Sequence, residues 1–540
     1  MPAHAWTVLL LVMTNSGALA VKLQCNQSLS AGTMLRLTEK LDLSGKDPSH
    51  GPSIRDACAI VGPTAGPPAT IMMPDGDCAL HALGEVTLAG HLHFVAGNAQ
   101  DCCFDGEGHG SILCSESNMT IAPKAHVTVE ATDAKTIINP GGFWTAKYIS
   151  VHGSVNATLA AGQMTGVNGL LSSSGVRVSR TGMVVASGMK VARGAAIQGG
   201  DFGTVIHGAV ICSSYEAIDA GGCIAGGQNT TLGPSGTIYA SDAKAVEAGG
   251  VVNGGHLFTV EGRIVARNLH STAAGAVLTG DNINMTGNSS IDAYHLYGAG
   301  GPSAIATKAL IMSDNARIKA KDGWGADSGF IGVNYFEMRD NTALHCENSY
   351  ADNCGGCVLA DMNVGGNAYI VARNMSARGL AGALCGGYPH QNLTVSGTAT
   401  IDIEKSTGGL YGGALLAHTL TFTGGAFRVR LHDTEAACGG AIVALSSDGH
   451  PGEGFVVVDA SGGGTLLIEN ARERNVSLGC LSVEANLQGG APSPPPAPPV
   501  PIIQQPCSDC MAKDFPVARR SECLCSSQKV AGFRECCTSF

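Results

Sequence analysis

Asp281, Asp292, Asp314, Asp322 and Asp327 crowd one stretch of the chain. Such carboxylates do acid–base work when two of them face each other ~5–10 Å apart across a groove, the geometry of glycoside hydrolysis. Here they could pair only as outward residues on stacked turns of chain. A second cluster, His91, His93, Cys102, Cys103, His109 and Cys114, has the side-chain types of a metal site. Its spacings match no standard zinc pattern, and the cysteines fit better as half-cystines of a disulfide-stabilised cap. Tyr294, Tyr297, Trp324, Tyr335 and Tyr350 share the stretch with the aspartates. Their rings could carry sugars or stack as ordinary corner residues, and the second reading is preferred. No catalytic set, metal set or cofactor is assigned.

Residues of this kind need a regular scaffold, and the composition describes one. The 540 residues include 75 Gly, with 14% charged and 5% aromatic side chains. Val, Ile, Leu and Ala remain plentiful, which excludes a disordered chain. The net charge is −11 without a Lys/Arg cluster, which argues against nucleic acid and anionic membrane surfaces as partners.

Gly355-Gly356-Cys357-Val358 returns 26 residues later as Ala381-Gly382-Ala383-Leu384. The residue after the second small residue of this phrase falls at Phe143, Leu170, Ala196, Cys223, Val251, Ala276, Ala304, Phe330, Cys357, Ala383, Ala414, Ala441 and Cys480. The steps lie between 25 and 28, apart from one of 31 and one of 39. The pentapeptide Ile264–Asn268 recurs as Ile370–Asn374, 106 residues on, about four periods. Between the phrases, 289–294, 316–321, 398–403 and 426–431 alternate apolar and polar residues as strands do, and Gly, Asn, Asp and Ser fill the gaps between them. The period is too short for paired-helix repeats. The expected fold is all-β: a right-handed parallel β-helix of ~27 residues per coil, with an N-terminal cap and a small disulfide-rich C-terminal module.

The phrase then has a physical reading. Gly221, Gly222, Gly355, Gly356, Gly412, Gly413, Gly439 and Gly440 supply a bend with positive φ, or leave room where the next coil comes too close for a Cβ. Cys223, Cys357 and Cys480 occupy the narrow inner position that Ala fills elsewhere and are expected as packed small hydrophobes. Cys354 and Cys438 are better disulfide candidates. A second series, apolar-x-x-Asn, places Asn288, Asn315, Asn341 and Asn367 at steps of 27, 26 and 26. These are expected to stack inward at one αL corner and hydrogen-bond from coil to coil, with Asn288 therefore free of glycan.

Gly412-Gly413-Ala414-Leu415 and Gly439-Gly440-Ala441-Ile442, with near matches at 221–224 and 355–358, resemble the Gly-Gly-Ala-Ile/Leu/Val motif of the polymorphic outer-membrane proteins, bacterial autotransporter adhesins. Their Phe-x-x-Asn motif is matched with Met at 285, 312 and 338. The resemblance spans roughly 141–485 and implies a right-handed β-helix passenger with an adhesive surface role. The family's closing membrane β-barrel, a run of alternating ~10-residue segments, has no counterpart in the pattern here. Gly108-His109-Gly110 and Arg317-Ile318-Lys319 each resemble short polygalacturonase motifs. No Asn-Thr-Asp or Asp-Asp partner stands between them, and Arg317 and Lys319 fit equally as the outward neighbours of an inward Ile318.

The ends are organised differently. Residues 1–20 carry a short apolar core and a small-residue cleavage site, the pattern of a signal peptide. A Cys-rich cap and first coils are expected over 21–140, repeats over 141–487, a stiff Pro-rich linker over 488–506, and a module over 507–540. The linker resembles the Ser-Pro-rich spacers of plant and algal wall glycoproteins. Cys507, Cys510, Cys523, Cys525, Cys536 and Cys537 would hold that last module together, their pairing open. The chain's 20 Cys, with glycosylation sequons at Asn26, Asn118, Asn156, Asn229, Asn284, Asn374, Asn392 and Asn475, suit an extracellular setting. The expected protein is secreted, adhesin-like and non-catalytic, binding glycans or extracellular proteins along one face of the helix. A β-helix polysaccharide lyase or glycoside hydrolase is the alternative.

Overall fold

The structure is a computed structural model. It describes residues 11–14, 17–20, 26, 28–36, 41–42, 57–72, 80–96, 110–131, 137–138, 140–159, 163–165, 170–188, 190–191, 195–217, 222–245, 252–272, 275, 277–386, 391–444, 455–474 and 486–488. The Pro-rich linker, the C-terminal Cys-rich module and the cleavage-site flank after Ala20 lie outside these residues, as do Cys102, Cys103, His109, Gly221, Asn475 and Cys480.

Two compact units divide the chain, residues 1–281 and 282–540. Each is a parallel β-solenoid, and the described residues contain no helix. In the second unit a coil contributes one strand to each of two parallel ladders. One ladder runs through Ile305–Met312, Ile331–Met338 and Val358–Val364. The other runs through Ser290–Gly298, Arg317–Gly325, Ala343–Ala351, Tyr369–Ala377, Thr400–Gly408 and Arg428–Ala436. Neighbouring coils pair in register about 27 residues apart, as between Ser290 and Arg317. The first unit repeats the pattern, with Met34–Arg36, Ala69–Met72, His91–Ala96, His126–Ala131, Ser154–Leu159, Met183–Ser187, Ala209–Ser213, Thr237–Ala245 and Arg263–Ser271 paired in parallel. Parallel coils thus begin well before residue 141.

Alternation explains why these segments are strands. Along Arg317–Gly325 the odd positions at the start face water while Ile318 and Ala320 are 1% exposed. Ile291, Ile318, Leu344, Ile370, Ile401 and Val429 stand in one inward row. Full burial of each such side chain stabilises by about 1.5–3 kcal/mol. The repeated pentapeptide occupies one position in the coil, in Arg263–Ser271 and again in Tyr369–Ala377, where the burial patterns differ only at the first residue. Of the recurrent small-residue phrase, Phe143, Leu170, Ala196 and Cys223 in the first unit, and Ala304, Phe330, Cys357, Ala383, Ala414 and Ala441 in the second, are buried.

Disulfides reinforce that interior. Cys212 pairs with Cys223, and Cys346 with Cys357, each across 11 residues of one coil. Cys223 and Cys357 are therefore half-cystines, not the free packed thiols expected from their Ala-like position. The sequence pattern misled because a cystine needs the same narrow space: Cys346 stacks between Ala320 and Ala372. Cys354 bonds Cys385 in the following coil. Cys58, Cys114 and Cys438 are also disulfide-bonded.

Candidate functional site

Each coil presents its outward residues at the same angular positions, so a site on this fold is a set of columns. The corner glycines come first. Gly355, Gly412 and Gly439 take φ of 68°, 57° and 64°. The glycine after each has a different burden: a Cβ on Gly356, Gly413 or Gly440 would lie 2.6, 1.9 or 2.6 Å from the carbonyl oxygen of Gly382, Gly440 or Arg472. One glycine bends the chain and the next lets coils touch. Gly222 accepts the Ala196 N–H from the coil before it.

The Asn series forms a chain of side-chain bonds. Asn315 Nδ2 donates to Asn288 Oδ1 (3.3 Å), Asn341 to Asn315 (3.4 Å) and Asn367 to Asn341 (3.1 Å). Two expectations about it fail. All four side chains are exposed, so Asn288 does not point inward and gains no protection from glycan by burial. Nor do they take αL; the residue before each does, at Gly287, Asp314, Asp340 and Gly366. The inward place belongs to the next residue, Ser289, Ala316, Thr342 or Ala368. A polar side chain beside a tight turn reaches water and its counterpart one coil away at once, at no desolvation cost.

A second Asx column was not foreseen. Ser214, Asp242 and Asn268 in the first unit, and His295, Asp322, Asn348, Asn374, Lys405, Asp433 and Asn470 in the second, all have φ between 51° and 57°. Asp242, Asn268, His295, Asp322, Asn348, Asn374, Lys405 and Asp433 each bend a long strand in its middle, while Ser214 and Asn470 stand between two short ones. Asn and Asp tolerate this conformation best, and they bond along the column: Asn268 Nδ2 to Asp242 Oδ1 (2.9 Å), Asn348 to Asp322 (2.8 Å), Asn374 to Asn348 (2.9 Å). The signal was present in the sequence, since both copies of the pentapeptide end in this Asn.

Two residues beyond the bend stands an aromatic column. Tyr297, Trp324 and Tyr350 pair in register on successive coils. Tyr297 and Trp324 stack face to face, with centroids 4.4 Å apart and planes at 11°, so their edges face outward. Between the Asx and aromatic columns lies an open groove of about 520 Å³ lined by Leu296, Asp322, Gly323, Trp324, Asn348, Ser349, Tyr350 and Asn374. Asp322 also meets His295, Nδ1 to Oδ2 at 3.4 Å. Burial first, and then hydrogen bonding to Asp352, raise the Tyr350 hydroxyl above its ordinary pKa. The groove offers aromatic edges, amide groups and one carboxylate, repeated at the coil spacing.

On the other ladder, Glu337 is 7% exposed although it points away from the core. Arg339 donates to it from Nε (2.6 Å) and a terminal nitrogen (2.8 Å), and the Tyr335 hydroxyl donates at 3.0 Å. The Arg339 bonds hold the carboxyl below its usual range, against the opposing effect of burial. A carboxylate with a depressed folded pKa stabilises above its unfolded pKa and loses that contribution as pH falls through the folded value. Glu337→Gln is therefore expected to cost about 1–2 kcal/mol at pH 7, with the difference from wild type shrinking as pH falls below about 4.3, the unfolded value, and gone only below the depressed folded value. Denaturant midpoints across that range measure it.

The five aspartates occupy separate columns. Asp292 stands on a strand, Asp314 accepts the Gly287 N–H in a turn (2.8 Å), Asp322 lines the groove, Asp327 is exposed in a bend where its backbone carbonyl accepts the Cys354 N–H (2.9 Å), and Asp281 bonds His256 Nδ1 (2.7 Å) in the first unit. Asp314 N–H in turn donates to Asp340 Oδ2 (3.2 Å), so those stacked carboxylates serve backbone. Arg317 and Lys319 are outward neighbours of Ile318. His93 Nε2 meets Glu130 Oε2 at 3.0 Å and His91 packs edge-on against His126, while Cys114 is bound in a disulfide. Among the described residues no group of three or more His, Cys, Asp or Glu is placed to hold a metal ion. Of the sequons, Asn26, Asn156 and Asn229 are exposed, Asn284 and Asn392 half-buried, Asn118 donates its Nδ2 to Glu85 (2.8 Å), and Asn374, exposed in the groove, donates its Nδ2 to Asn348 (2.9 Å). Among the described residues no helix is long and apolar enough to cross a membrane. No family model, curated protein or solved structure matches the chain.

Proposed function

We propose that this chain is a secreted, adhesin-like surface or matrix protein that binds glycans, or extracellular proteins, along a face of its solenoid and performs no chemistry on them. The groove between the Asx and aromatic columns carries this reading. Its polar groups recur at the coil spacing of about 4.8 Å, comparable to the length of one sugar unit in an extended polymer. An extended chain lying along the axis would meet the same donors and ring edges at each step, and several shallow contacts on a rigid support would sum to useful avidity. The likeness of the Gly-Gly repeats to adhesin passengers supports the same reading, and the disulfides and exposed sequons support secretion after removal of residues 1–20.

The hydrolase alternative needs two facing carboxylates. Among the described residues that line the groove, Asp322 is the single one, which favours the binder. The test is a panel of polysaccharides scored for retention of the protein and for new reducing ends. Retention without cleavage is expected, weakened about tenfold by Trp324→Ala, which removes a groove wall. Cleavage of any polymer, or retention indifferent to Trp324, overturns the proposal.

A further inference from the structure

In the first unit, the strand Ile197–Ile206 carries extra residues relative to its neighbour. Ser173 pairs with Gly199 and Gly175 with Gly203, so three residues stand opposite one. Such a bulge re-aims side chains. Here it throws Phe202 outward, where it remains 56% exposed, the second most exposed large hydrophobic of the described residues after Phe455. The ring is nevertheless held. It stacks on Tyr148, with centroids 5.1 Å apart and planes at 21°. These two rings come from coils on either side of Gly175, and a Cβ there would lie 2.5 Å from Tyr148 Cε1. The glycine opens the notch through which they meet. One face of Phe202 is thereby fixed against Tyr148, and the opposite face is open to water.

A cation accompanies this platform. The Arg177 guanidinium sits 4.5 Å from the Tyr148 centroid, so it lies no farther from Phe202 than those two distances together. Arg177 is exposed, and among the described residues no carboxylate pairs with it. Lys147 and Arg180 are exposed nearby in sequence, and Asp201, beside Phe202, is the local opposing charge.

We infer that Phe202 and Arg177 form a binding site for an acidic pyranose, a sugar ring bearing a carboxylate. A flat, half-exposed aromatic face takes the apolar C–H face of a pyranose, as the edge-on Tyr297–Trp324 stack of the groove does not. The guanidinium, which lies over Tyr148 and not on the open face of Phe202, takes the carboxylate of a neighbouring unit of the same acidic chain by charge-assisted hydrogen bonds. This inference extends the glycan-binding reading to a second place and a stated ligand class, and it stands on residues the groove does not use.

The experiment uses the full secreted chain with three short probes: trigalacturonate, its methyl ester and neutral cellotriose, followed by ligand-observed NMR titration. Wild type should prefer the acid to the ester. Phe202→Ala should weaken acid binding about tenfold, and Phe202→Leu, which keeps apolar cover on Tyr148 but loses the flat face, should weaken it in the same direction. Arg177→Gln should weaken it about threefold and abolish the preference over the ester. Trp324→Ala, which acts only on the groove, should weaken groove binding of acid, ester and neutral probe alike and keep the preference for the acid, so failure here and failure of the groove reading are separable. Equal binding of acid and ester by wild type, or acid binding indifferent to Phe202, overturns the inference. So does a dimer of the free protein that Phe202→Ala dissolves, since the platform would then be covered by a second copy.

Discussion

Gly413→Ala is expected to destabilise the second unit by about 3 kcal/mol or more, an overpacking cost at the upper end of the usual range. The added carbon would lie 1.9 Å from Gly440 O and 2.6 Å from Glu435 N, both backbone atoms of the next coil, so no side chain can swing away. Gly424 supplies the control. It has φ of 66° but nothing within 4 Å of its missing Cβ, so Gly424→Ala meets only αL strain, about 1 kcal/mol. Valine at Gly413 should be worse than alanine. Hydrogen exchange of the flanking strands Thr400–Gly408 and Arg428–Ala436 reports the damage locally, which matters because solenoid coils unfold by neighbourhood. If Gly413→Ala and Gly424→Ala prove equally stable, coil-to-coil contact is not why the phrase recurs.

Removing the intra-coil cystine by Cys346→Ala with Cys357→Ala is expected to cost about 3 kcal/mol, the loop-closure entropy of a crosslink spanning roughly a dozen residues. Alanine is the apt replacement because the neighbouring coils already hold it: Ala320 and Ala372 flank Cys346, and Ala383 follows Cys357 in the corner row. The double variant should thus fold to the same shape and lose only the constraint. Cys354→Ala with Cys385→Ala opens a larger loop, across 31 residues and between coils, and should cost slightly more. Denaturant midpoints compared with and without reductant measure both. Reductant should lower the wild-type midpoint and leave the affected transition of the double variants less changed. A Cys346→Ala, Cys357→Ala variant as stable as wild type would mean that packing alone holds this coil.

The columns behave differently from the corner. Side chains exposed on stacked coils, such as Lys321 with Glu347 (3.2 Å) or Arg373 with Glu404 (3.7 Å), form ion pairs that water screens, each worth less than about 1 kcal/mol. Their sequence is therefore loosely constrained, and the outer face is free to diverge into binding surface. The inward rows and glycine corners have no such freedom, because every coil repeats the same steric problem.

That contrast separates what was legible from what was not. The sequence by itself determined the period, the all-β class, the inward alternation of segments such as 316–321 and the corner role of Gly412-Gly413 and Gly439-Gly440, because each is a local steric demand that every coil must meet again. The bent strands were half-legible: the repeated Ile-Val-Ala-Arg-Asn announced a fixed place in the coil, but not that its Asn takes αL at 268 and 374. Only the tertiary structure decided which cysteines bond, which way Asn288 faces, and which residues share a groove. Cys346 finds Cys357 because the interior is one cystine wide at that row. Asp322, Asn348 and Tyr350 meet because coils stack. Phe202 reaches Tyr148 through the gap that Gly175 leaves between coils. These are facts of distance across the coil and along its axis, which spacing in the chain does not encode.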